Sequence, residues 1–197
     1  LQMKVLAQWS EGYKLLDYLY LLLISIISNI FSAFSGGGAG VIQLPGILLL
    51  FDINFIKALA THKVATVALG IGATIKFMSV VKFNKALMLK LLSFGLPGTI
   101  IGAFIIVDTN EILSKFLLGL LIIFIGLYSF KEKKYGEYQK VFTNNLKNNL
   151  IGFCIIFLIG LLNGSLSAGT GLIFTVILIS WYGMDYKTAI AYTLIVV

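Results

Sequence analysis

Ser35 to Gly46 read SGGGAGVIQLPG: three consecutive glycines, an alanine and a fourth glycine between two apolar runs, Leu15 to Phe34 and Val41 to Phe51. Whether this stretch is a loop outside a membrane or a break inside one decides the fold. Four glycines in five residues (Gly36, Gly37, Gly38 and Gly40) disfavour a continuous helix by roughly 1 kcal/mol each relative to alanine. Close helix packing calls for small residues every fourth position, as at Gly98 and Gly102 beside Pro97, whereas these glycines are consecutive. The run therefore predicts a true break. In hydrocarbon, non-helical backbone persists only where protein or a water-filled cavity covers its polar groups.

The rest of the chain supplies the membrane setting. Of its 197 residues 59% are apolar and 12% charged, and its mean hydropathy is +0.99, whereas a soluble domain is roughly 45–50% apolar and about 25% charged. Apolar runs approach the ~20 residues that span a bilayer, and no alternating strands of a barrel occur. Further runs extend over Ala58 to Val80, Ala86 to Ile106, Ile112 to Phe130, Leu150 to Leu166 and Leu172 to Tyr182, and another opens at Ala189. The expected fold is an all-α, polytopic helical membrane protein. The N-terminal LQMKVLAQWSEGYKLLDY lacks the pattern of a signal peptide. The residues from Ala189 to Val197 are too few to cross as a helix, so the chain reads as truncated within one.

An ungapped offset of 131, the difference between Gly169 and Gly38, also superposes Gly171 on Gly40, Ile173 on Ile42, Ala189 on Ala58 and Ala191 on Ala60. The order of features repeats with it: apolar run, glycine break, short run, a polar connection (DINFIK, then GMDYKT), and a helix opening with alanines. This predicts two units, each beginning with a glycine-broken helical hairpin. The first occupies 1–130, a lysine-rich linker 131–149, and an incomplete second unit 150–197. With an odd number of segments per unit the two are inverted repeats, a plan common in secondary transporters.

Lysine placement bears on the same plan. The net charge is +7, and all fifteen cationic residues are lysines. Lys76, Lys82, Lys85 and Lys90 cluster at one connection and Lys131, Lys133, Lys134, Lys140 and Lys147 in the linker, while the VDTNE between them carries Asp108 and Glu111. Positive-inside topology puts both lysine clusters in the cytoplasm. It also accounts for the basic balance without nucleic acid. The equivalent loops DINFIK and GMDYKT then lie on opposite sides, as inversion requires, in a multi-pass protein of the cell membrane.

The chemistry available is narrow. Without arginine, an anion would be held by lysine, hydroxyls and backbone N–H groups. Glycines at positive φ let successive N–H groups face one anion, and the start of the next short helix adds a partial positive charge. In ALATHKVAT, Lys63 lies ~7–8 Å into its helix and shares a face with Thr66, Gly70 and Thr74. It is the leading candidate for holding substrate charge, with snorkelling to the headgroups as the alternative. His62, the single histidine, has the chemistry of a proton relay or of an interhelical hydrogen bond. The glycines have neither the spacing nor the following Lys-Ser/Thr of a nucleotide site. One histidine, one cysteine and no carboxylate in these segments give no metal site, and no cofactor is implied. Cys154, in an apolar run, reads as a small buried hydrophobe.

GGGAGVIQLPGILL, KALATHKVATVALGIGATIKF and GLLNGSLSAGTGLIF, in this order, resemble the TauE/SafE sulfite-exporter family, closest to a branch with GGGGLITLP, ALATNK and GPGTG. The resemblance implies a gradient-driven transporter, an exporter of sulfite, sulfonates or other small organosulfur or carboxylate anions, with a proton or sodium ion as coupling partner. Carried over by position, the paired glycine motifs fall on Gly36 to Gly40 and on Gly169, Thr170 and Gly171, and the polar helix start on Thr61, His62 and Lys63. His62 stands where the branch has asparagine, and Asn163 where an aspartate is common. With Thr66, these residues form the expected substrate site, with no catalytic residue among them. Two other readings stand beside it: an intramembrane hydrolase pairing Ser35 or Ser167 with His62, the glycines supplying an oxyanion site, and a passive channel or structural membrane partner. The sequence gives no oligomeric state.

Overall fold

The computed structural model describes residues 2–131 and 145–197, and among these the chain is all-helical: α1 (Gln2–Ser35), α2 (Ala39–Leu50), α3 (Phe55–Met78), α4 (Lys85–Val107), α5 (Glu111–Lys131), α6 (Leu146–Ser165), α7 (Thr170–Ser180) and α8 (Tyr186–Val196). Five stretches, Leu15–Ser35, Phe55–Met78, Lys85–Val107, Glu111–Tyr128 and Lys147–Ser165, are long and apolar enough to cross a bilayer. The shorter α2 and α7, of 12 and 11 residues, reach only about 17–18 Å at 1.5 Å per residue. Most of linker 131–149 lies outside the described residues. Its edges are helical, Lys131 closing α5 and Leu146 opening α6.

Helix starts differ from the apolar runs for a physical reason. Apolar residues mark the buried length of a helix, but the first turn is fixed by the side chain that accepts its free N–H groups. Asn54 Oδ1 accepts from Lys57 N at 2.9 Å, so α3 opens at Phe55, ahead of Ala58. Asp185 Oδ1 accepts from Thr188 N at 2.9 Å and starts α8 at Tyr186 rather than at Ala189. Asn84, Asn110 and Asn145 cap α4, α5 and α6 in the same way.

The polarity of the fold is that of a protein in lipid. Large apolar side chains such as Leu49, Val64, Phe104 and Ile112 lie on the outside. Cys154 is also exposed, contrary to the expectation of a buried hydrophobe. In lipid an apolar run does not say which of its faces turns inward. The interior belongs to the two short helices: Leu44 and Ile47 of α2 cluster with Phe55, Ala58, Leu166 and Ala168, and Phe174 and Leu178 of α7 cluster with Leu91, Ile156 and Tyr192.

One helix pair is held by backbone contact. Along α4 and α6, Gly95 meets Gly160, Gly98 meets Phe157 and Leu161, Gly102 meets Leu161, and Gly164 meets Thr99. Helices in lipid gain little from hydrophobic association, so such close van der Waals approach supplies the attraction. Gly98 and Gly102 thus serve packing, as their spacing suggests.

Candidate functional site

Both breaks are built on positive-φ backbone, which glycine adopts most readily. Gly36, Gly37 and Gly38 have φ of 78°, 90° and 147°, and the N–H groups of Gly36 and Gly37 both donate to Ser32 O at 3.0 Å, ending α1. At the second break Ser167 and Gly169 have φ of 60° and 72°, and Ser167 N donates to Leu162 O at 3.1 Å. The helices that follow begin at Gly38 and Gly169 with no side-chain cap. The first N–H groups of a helix have no acceptor within it. In α3, α4, α5, α6 and α8 an Asn or Asp side chain accepts from one or more of them; in α2 and α7 none does.

The two uncapped starts meet. A Cβ added to Gly37 would lie 2.7 Å from Gly171 Cα, and one added to Gly171 would lie 2.7 Å from Gly37 Cα. Gly40 abuts Ala168 (2.8 Å to its Cα), Gly38 abuts Leu172 (3.1 Å) and Gly169 abuts Val41 (3.2 Å) by the same measure. Under the offset of 131 between Gly38 and Gly169, Gly37–Gly171 exchanges with Gly40–Ala168, and Gly38–Leu172 with Gly169–Val41. The contacts are reciprocal.

A cavity of about 40 Å³ lies at this meeting point. Its walls include Gly37, Gly38 and Gly40 of the first break, Gly171 of the second, and Asn163; α3 adds His62 and Thr66. A wider cavity of about 550 Å³ adjoins it, sharing Thr66 and Asn163 and lined along α3 by Lys63, Gly70 and Thr74. That is the helix face expected from the sequence. Lys63 does not snorkel: its Nζ donates to Asn163 Oδ1 at 2.8 Å, across 100 residues of chain. The same oxygen accepts from Thr170 Oγ1 at 3.1 Å and Ser167 Oγ at 3.5 Å. Asn163 thus gathers the donors of α3 and of the second break on one atom.

The remaining expected residues stand apart from the cavities. Gly36 packs on Thr175 and Ile190, and Gly169 on Ile125 and Val41. Thr170 is buried, the single hydrogen of its hydroxyl shared between Ser167 O at 2.9 Å and Asn163 Oδ1 at 3.1 Å, and Thr61 returns its hydroxyl to Lys57 O at 2.9 Å. The serine–histidine pair of a hydrolase does not form: Ser35 Oγ donates to Phe31 O at 2.9 Å, Ser167 Oγ turns to Asn163, and His62 Nδ1 lies 2.7 Å from Gln43 Oε1. No cluster of metal-ligating side chains occurs among the described residues.

Three participants escaped the sequence reading. Gln43 Nε2 donates to Ser25 Oγ at 2.7 Å while its oxygen faces His62. Thr175 Oγ1 donates to Gly36 O at 2.6 Å and lies 2.8 Å from Thr193 Oγ1, tying α7 and α8 to the first break. A signal existed for Gln43 and Thr175, each a polar residue deep in a short apolar helix. Such a residue is placed there to bond within the protein. Thr193 gave no comparable signal.

Five potential spans, with two short interior helices that open on uncapped glycines, define a polytopic helical membrane protein. The chain belongs to the sulfite exporter TauE/SafE family, whose family model matches residues 21–197. It is similar to a probable membrane transporter protein of Haemophilus influenzae, 25% identical over 181 residues that make up 92% of this chain and 69% of the relative. No solved structure matches the chain.

Proposed function

We propose that the chain is a secondary transporter that carries small anions, such as sulfite, sulfonates or other organosulfur compounds, out of the cell. The observation that carries this reading is that α2 and α7 alone among the described helices from α2 onward begin without a side-chain cap, and that their starts meet at one cavity. Two helix starts that meet without a side-chain cap, each the positive end of its helix, with an ammonium nearby and no acidic side chain on the walls, suit a small anion. The family supports transport as the activity.

On this reading 1–130 and 150–197 belong to inverted repeats, and 131–149 is a cytoplasmic linker in a protein of the cell membrane. The reciprocal contacts across the two breaks support the repeat, as do the matching caps Asn54 and Asp185. The lysines at the α3–α4 connection, against Asp108 and Glu111 at the next, support the orientation.

The test is flux in proteoliposomes, with sulfite, sulfoacetate, thiosulfate and simple carboxylates supplied in turn. Uphill accumulation of one of these under an imposed proton or sodium gradient is the expected result; flux that only ever runs downhill assigns a passive channel instead. Within the same assay, Lys63→Ala is expected to weaken anion binding on the order of 10–100-fold, the loss that follows removal of one charge-assisted partner. Lys85→Ala, at the start of α4, should leave it unchanged. Equal effects of the two would remove Lys63 from the site.

A further inference from the structure

Resting on the anion-transport reading, we propose that His62 Nε2 is the proton-binding atom of the small cavity, so that an anion entering it brings one proton with it. The geometry fixes the ring. Gln43 turns its NH2 group to Ser25 Oγ (2.7 Å) and its carbonyl oxygen to His62 Nδ1 (2.7 Å). A carbonyl oxygen only accepts, so Nδ1 carries the hydrogen of the neutral imidazole, and Nε2 is left with the lone pair. His62 is 1% exposed, lines the cavity, and Nε2 has no hydrogen-bond partner among the described residues. It lies beside the meeting of the two breaks: a Cβ on Gly40 would lie 2.9 Å from Nε2 and 2.8 Å from Ala168 Cα. A bare base buried between two helix starts that suit an anion is a proton site whose occupancy favours the anion, and the reverse.

The surroundings offer no competitor. The cavity that His62 lines is walled by Ser32 from α1, Gly38 and Gly40 at the start of α2, Asn163 from α6, Ser167 from the second break, Thr193 from α8 and Val197 just after it, with Gln43 on the other side of the ring. None of these side chains is a carboxylate. The one charged neighbour is Lys63, the next residue of α3, whose ammonium is turned to Asn163. The described acids outside α1 lie at the helix connections, at Asp52, Asp108, Glu111 and Asp185.

Because His62 is the only histidine, imidazole-labelled protein gives one pair of ring nitrogen signals. Nuclear magnetic resonance of the whole chain in lipid should show Nδ1 protonated and Nε2 bare, and Nε2 becoming protonated when methanesulfonate or thiosulfate, both ionised throughout pH 6–8, is added. A bare Nδ1, or an Nε2 unmoved by an anion that binds, overturns the proposal. In proteoliposomes with the membrane potential clamped, an inward gradient of either anion should draw in about one proton per anion. His62→Gln should abolish that proton entry, whereas Lys85→Ala, at the start of α4, should keep it. Equal proton entry in His62→Gln, or anion flux in the unaltered protein without protons, overturns the assignment. Absence of any anion flux or binding overturns the transport reading and this proposal with it, whereas the ring assignment is still decided by the resonance of the anion-free protein.

Discussion

Gly102→Leu is expected to leave no monodisperse, cooperatively melting protein in detergent. A Cβ at this position would strike Leu161 O, with Leu161 C at 2.9 Å and Leu161 Cα at 3.1 Å. These are backbone atoms of α6, held by its own helical hydrogen bonds, and they cannot turn aside as a side chain can. Overpacking costs about 1–3 kcal/mol even where side chains absorb it. Here the whole of α4 must move from α6, and the backbone contacts at Gly95, Gly98 and Gly164 are lost with it. In lipid no hydrophobic gain draws the pair together again. Gly119→Leu on α5, where a Cβ would meet nothing within 4 Å, is the control and should purify and melt as the unaltered protein does. Size-exclusion chromatography and a circular-dichroism melt decide it, and equal behaviour of the two variants would show that the seam does not hold the fold.

Gly171→Ala is expected to reduce anion flux in proteoliposomes to that of protein-free vesicles while leaving the protein folded. Gly171 sits inside α7 outside the positive-φ region, so alanine brings no backbone strain of its own. Its methyl would lie 2.7 Å from Gly37 Cα and 3.1 Å from Gly37 C, forcing the two broken hairpins apart where the anion is proposed to sit. The melting midpoint should fall by an amount corresponding to about 1–3 kcal/mol, short of unfolding. Gly126→Ala, with open space around its Cβ, should change neither flux nor stability. Flux in Gly171→Ala equal to that of the unaltered protein would place the anion path away from the meeting of the breaks.

The two variants separate what each kind of glycine does. Gly102 is legible in sequence through its spacing from Gly98 within an apolar run, and that spacing means close packing. Its partner is not legible, because α6 carries its own glycines, Gly160 and Gly164, and nothing local says that they face α4. The breaks at Gly36–Gly38 and Gly169 were readable because consecutive glycines oppose a helix wherever they stand. Lys63, Thr66, Gly70 and Thr74 were readable as one face because helical periodicity is local. Cys154 was misread as buried for a related reason: outside and inside are equally apolar in a membrane protein, so hydropathy carries no inward direction.

Composition, hydropathy and glycine placement by themselves determined the class of fold, the positions of both breaks and the offset of 131 that relates Gly38 to Gly169. Each rests on free energies that a residue carries with it: transfer of side chains to hydrocarbon, and backbone freedom. Tertiary structure alone decided that Lys63 bonds Asn163 rather than reaching for headgroups, that Gln43 orients His62, and that Gly37 touches Gly171. Those contacts join residues far apart in the chain. Hydrogen bonds and van der Waals contact act over a few ångströms, and only the folded arrangement of α1, α2, α3, α6, α7 and α8 brings these atoms within reach of one another.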